Sequence, residues 1–98
     1  MCELREAILD VLAVFANGKE NAIKSAELEK TFGIKGAVLR EHINALRSIG
    51  TPICSSRVGY WIADTDEELL ATKRNLLNRI AGMQRAIEGI DTYLKTSK

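Results

Sequence analysis

From Ile34 to Tyr60 four cations, Lys35, Arg40, Arg47 and Arg57, stand against one carboxylate, Glu41. The whole chain carries only +1 at pH 7, and its first 33 residues hold four basic against six acidic side chains. Charge segregated in this way suits a phosphate backbone, provided the cations share a face. Arg40 and Asn44 are four residues apart, one turn of a helix. A guanidinium there can grip a guanine edge through two hydrogen bonds, and a carboxamide can do the same for adenine. Ala37 can touch a thymine methyl. Lys35 and Arg47 are expected to hold phosphates. Arg57, with Ser55 and Ser56 beside it, suits the adjacent backbone or minor groove. The Ser25 hydroxyl and the amide of Ala26 are expected to meet a phosphate at a helix N-terminus. Glu41 repels phosphate and is read as structural.

Other chemistry finds little support. The sequence has one histidine, His42, no glycine-rich phosphate loop and no nucleophile beside a base, so no enzyme activity or cofactor is expected. Two distant cysteines, Cys2 and Cys54, make no metal site with one histidine, and both are expected as reduced thiols. No run approaches the roughly 18 apolar residues of a membrane span. The opening MCELREAILD puts acidic residues where a signal peptide carries basic ones, so a cytoplasmic location is expected, at the nucleoid when bound to DNA.

Helical elements must position these side chains. Leu4, Ile8, Val11, Leu12 and Phe15 recur at helical spacing up to the stop at Asn17-Gly18. Lys19 to Lys24 reads as a polar connection. Ser25 stands where an N-cap belongs, opening a short helix that ends at Gly33 with Leu28 and Phe32 inward. A second helix follows over about 36–49, with Leu39, Ile43, Leu46 and Ile49 as its apolar stripe, which leaves Lys35, Ala37, Arg40, Glu41, Asn44 and Arg47 facing out. Thr51-Pro52 forbids more helix. Strand-like pieces at 53–56 and 60–63, joined through Arg57-Val58-Gly59, read as a hairpin. Two helices across a short glycine-containing turn form a helix-turn-helix, and the hairpin after them a wing. His42, at the edge of the stripe, and Trp61 are read as packing residues.

Asp64-Thr65 or Asp66 can cap one further helix, weakened only at Gly82 and Gly89. Leu69, Lys73, Leu76, Ile80, Met83, Ile87, Ile90 and Leu94 alternate in steps of four and three, the 3.5-residue average of a coiled coil. Lone helices with such a seam are marginal in water, so pairing with a second copy is expected. Leu69, Leu76, Ile80, Met83, Ile87, Ile90 and Leu94 are the expected oligomerisation residues. Leu70, Leu77, Ala86 and Tyr93 widen the apolar face. That leaves open a parallel dimer, an antiparallel pairing, a higher oligomer, or packing of the first half on the chain's own domain.

The run SAELEKTFGIKGAVLREHINALRSIG, followed by PICSSRVGYWI, resembles the winged helix-turn-helix at the N-terminus of biotin-operon repressors and related small regulators. The resemblance rests on Ser25, Glu27 and Leu28, then Leu39, His42, Ile43, Leu46 and Arg47, then Gly59 and Tyr60. It covers about residues 5–63. The tail has no counterpart in the biotin ligase and looks more like that of small bacterial and phage regulators. Gly36 stands where the family often has a polar or basic residue, so one base contact is missing. The expected fold class is mainly α with a small β-hairpin (α+β): a winged domain over 1–63 and a long oligomerising helix over 64–98. The resemblance implies a dimeric, sequence-specific binder of double-stranded DNA with its second motif helix in the major groove. The alternative is an adaptor or inhibitor that docks on a nucleic-acid-processing protein.

Overall fold

Ile8, Leu12 and Ala16, spaced by four, place three fully buried side chains on one side of helix α1 (Glu3–Phe15) and its final turn. The computed structural model describes residues 3–96, so Cys2 lies outside the described residues. Phe15 sits off this row and is 67% exposed, so Ala16 takes the inward place the sequence pattern assigned to Phe15. The residues read as a polar connection do more than connect. After a 3-10 turn at Lys19–Asn21, Ile23 exchanges both backbone hydrogen bonds with Tyr60 (2.9 and 2.8 Å).

Helix α2 (Ser25–Phe32) ends at Gly33, whose left-handed φ of 63° turns the amide of Ile34 back onto the Glu29 carbonyl. Helix α3 (Gly36–Ser48) starts three residues later. Leu28 of α2 and Leu39, Ile43 and Leu46 of α3 join Ile8 and Leu12 in the core. Two expectations are corrected here. Ser25 is the first helical residue rather than the N-cap, a place held by Lys24, and its hydroxyl donates to the Glu29 carboxylate (2.8 Å). Ile49 falls beyond the last turn of α3 and is 79% exposed, so the inward stripe ends at Leu46.

Strands β1 (Ile53–Ser56) and β2 (Gly59–Ile62) pair antiparallel, Ile53 opposite Ile62 and Ser56 opposite Gly59. The Asn17 and Ile23 bridges cover the outer edge of β2. Ile53 packs into the helical core, while Cys54 and Trp61, a cross-strand pair, lie under the last helix, α4 (Asp66–Thr96). Helix α4 opens with a capping box. Thr65 Oγ1 accepts from the Glu68 amide (3.3 Å), and Glu68 Oε2 accepts from the amides of Thr65 (3.0 Å) and Asp64 (2.7 Å). The other Glu68 oxygen accepts from Trp61 Nε1 and the Lys19 amide, both at 3.1 Å. Those amides, Asp64 first, hold the Glu68 carboxyl below its ordinary pKa against some desolvation. One carboxylate thus ties three segments together.

Thr72 is buried, and its hydroxyl accepts from the Ser55 amide (3.3 Å). Past Leu76 the helix leaves the body. At 31 residues α4 runs about 46 Å, most of the 56 Å long axis of the molecule. The protein is mainly helical, with one two-stranded hairpin and a long C-terminal helix. Among the described residues no helix is long and apolar enough to cross a membrane.

Candidate nucleic-acid interface

Because Leu39, Ile43 and Leu46 turn inward, the opposite side of α3 carries Ala37, Arg40, Glu41 and Asn44, all exposed. Lys35 is the N-cap of α3 and is exposed too. His42 is buried against α1, where its Nδ1 accepts a hydrogen bond from Arg5 Nε (3.1 Å). That bond ties α3 to α1, while the buried Leu39, Ile43 and Leu46 set the direction in which Arg40 and Asn44 project. Gly36 has a consequence beyond a missing contact. A Cβ there would meet Arg40 Nη1 at 3.4 Å and Glu29 Oε2 at 3.5 Å. Both side chains thus reach toward Gly36 from where α2 meets α3, at ordinary contact distances.

Arg47, expected to hold a phosphate, is otherwise engaged. Its Nε donates to the Ile53 carbonyl (2.8 Å) and its Nη2 to Ser55 Oγ (3.0 Å). Burial lowers its pKa from the ordinary arginine value, a fall that Arg79 nearby reinforces and that Tyr60 and Cys54 oppose. Arg47 stitches α3 to β1 and sets the angle between helix and hairpin. Desolvation likewise raises the pKa of the Cys54 thiol, the Thr72 hydroxyl pulling the other way, which makes it a poor nucleophile.

Arg40, Asn44 and Arg47 line a groove of about 590 Å³ with Ser25, Ser55 and Ser56. Its far wall is α4, through Leu76, Arg79, Ile80 and Met83. The fold thus gathers Ser25, Arg40, Asn44, Arg47 and Ser56 around one concavity. Lys35, Ala37 and Arg57 are exposed but lie outside its lining. Ser56 Oγ accepts from the Val58 amide (3.2 Å), which shapes the hairpin turn that carries Arg57. Arg79 is the cation that reading the sequence missed. It lies just off the apolar seam and looks like any solvated helix charge until α4 is seen beside α3.

Neither a family model, nor a curated protein, nor a solved structure matches this chain.

The seam residues of α4 divide into two sets. Leu69 and Leu76 flank Thr72 along β1 and line a smaller apolar cleft with Pro52 and Ile53. Beyond the body, Ile80, Met83, Ile87 and Ile90 are 57, 60, 53 and 60% exposed, and Leu94 is 49% exposed. Trp61 is buried, with its indole N–H on Glu68, and serves as packing.

Proposed function

We propose that this chain is a winged helix-turn-helix protein that reads double-stranded DNA as a dimer. Helix α3 enters the major groove, and the β1–β2 hairpin lies on the adjacent backbone or minor groove. The observation that carries this reading is the outward face of α3. It holds Arg40 and Asn44 one turn apart, both exposed, three residues after α2 and directly before a hairpin whose tip is the exposed Arg57. Arg40 grips a guanine and Asn44 an adenine. Lys35 and Arg57 hold phosphates on either side. Arg47 and His42 are positioning residues: one fixes the wing against α3 and the other ties α3 to α1.

With Lys35 and Arg57 from each of two copies on phosphates, log Kd should change with log salt at a slope of about 3.6, from roughly 0.9 per contact. Fluorescence anisotropy on duplexes at several salt concentrations measures it. A slope near zero, or no binding to any duplex, refutes the reading.

One observation favours a second reading, a protein-binding adaptor. Val14 and Phe15 at the end of α1 are 69 and 67% exposed. Pull-down with and without nuclease separates the two: recovery that survives nuclease and is lost in Phe15→Ser supports the adaptor.

A further inference from the structure

We propose that a second copy of this chain lays its α4 antiparallel against the overhanging half of the first, with Ile80 opposite Ile90 and Met83 opposite Ile87 of the other copy. The inference rests on the dimer part of the reading above, and its test needs no duplex. The seam and the docking face of α4 are one face. Leu69, Thr72 and Leu76 carry it onto β1, and Ile80, Met83, Ile87 and Ile90 carry it past the end of the body.

That continuity excludes the parallel arrangement. In a parallel, in-register pair the two seams face each other along their whole length. Each winged body would then occupy the space of the other between residues 69 and 76. Such a pair also sets Lys73 against Lys73, a like-charge contact at a core position. Turned antiparallel, the two bodies lie at opposite ends.

The register follows from the same face. Antiparallel seams pair an a position with a d position. Sliding the helices together by one heptad from the proposed alignment would set Leu94 against Leu69, which flanks the Thr72 contact with β1. The longest overlap that stops short of Thr72 sets Leu94 of the second copy beside Leu76, whose half-buried side chain is then shared between β1 and the other helix. Every layer is then apolar, and Lys73 falls outside the overlap. The C-terminal seam end also arrives at the groove that holds Arg40, Arg47 and Arg79.

Light scattering and oxidative cross-linking of the full-length chain test this in a Cys2→Ser background, which leaves only the buried Cys54. Near the two-fold axis of the proposed pair, Ala86 of one copy flanks Ala86 of the other, while Ile87 is offset from its counterpart by about 6 Å at 1.5 Å per residue. The expected result is a dimer mass, with Ala86→Cys cross-linking to itself and Ile87→Cys not. A dimer mass in which Ile87→Cys cross-links, or neither variant does, overturns the antiparallel register while leaving a dimer. A monomer mass at 100-micromolar-scale (about 10⁻⁴ M) concentration overturns both. Ile87→Asp, on the exposed half of α4, should convert the dimer to a folded monomer, and an unchanged dimer mass refutes the pairing face.

Discussion

Arg47→Ala separates a structural tie from a phosphate contact. The half-buried guanidinium donates to the carbonyl of fully buried Ile53 and to Ser55 Oγ. A hydrogen bond from a charged donor contributes about 1.5–3 kcal/mol, and a second bond to a hydroxyl adds part of that again. Solvent at the groove takes some of it back, so the expected loss is about 2–4 kcal/mol. At about 4–8 °C per kcal/mol for a domain of this size, melting should fall by about 10–25 °C. Urea unfolding at fixed protein concentration measures the loss, because self-association would otherwise shift the midpoint. Ser55→Ala should cost about 1 kcal/mol, and the double variant less than the two singles together, because the pair shares a bond. Arg47→Lys keeps the charge but not the fork, and should recover less than half of the loss. An Arg47→Ala protein within about 0.5 kcal/mol of wild type, which binds duplex more weakly at every salt concentration, would refute the tie and restore a phosphate role.

Other perturbations reach other parts of the molecule. Arg40→Ala should cost about 1–3 kcal/mol on a specific site and much less on random duplex, and equal losses on both would demote it to a phosphate contact. Gly59 has a φ of 123°, and a Cβ there would fall on the Ile23 carbonyl. Gly59→Ala should therefore cost about 3 kcal/mol or more from backbone strain and clash together, read by thermal melting. The Glu68 carboxyl has a folded pKa below its unfolded one, so its contribution is complete above the unfolded value and is lost as pH falls through the folded value. Melting temperature should therefore drop on acidification below the ordinary carboxylate range, and Glu68→Gln should flatten that part of the profile.

How far the sequence spoke for itself depended on the range of the interactions. Local grammar was legible: the apolar stripe of α3 as far as Leu46, Gly33 as the end of α2, the proline before β1, and a cap at Asp64-Thr65 or Asp66 before the last helix. Each is fixed within a turn or two of chain. What escaped depends on segments that meet only after folding. Ile23 looked like a stray apolar residue because its partner, Tyr60, is 37 positions away. Phe15 and Ile49 fit a helical period yet point to water, because periodicity gives a stripe but not where the neighbouring element ends. Arg47 read as one more cation in a basic segment. Its arginine chemistry was visible, and the carbonyl that claims it was not.

The same limit explains why the widened apolar face of α4 left several pairings open. A strict seam for one partner would need two apolar positions per heptad. Helix α4 has more: Thr72 and Leu76 meet β1, while Leu70, Leu77 and Tyr93, beside the seam, are 56, 53 and 69% exposed. The residues that line the junction, Leu76, Ile80 and Met83, also wall the groove against Arg40 and Asn44. Whatever covers the overhang must therefore come within reach of Arg40 and Asn44, the side chains proposed to read DNA. A helix end seated there would lie against Arg40, Asn44, Arg47 and Arg79, while Lys35 and Ala37 stand outside the groove lining. If both proposals hold, self-association and duplex binding meet at one concavity, and Ile87→Asp, which lies outside that lining, should change duplex affinity as well as mass.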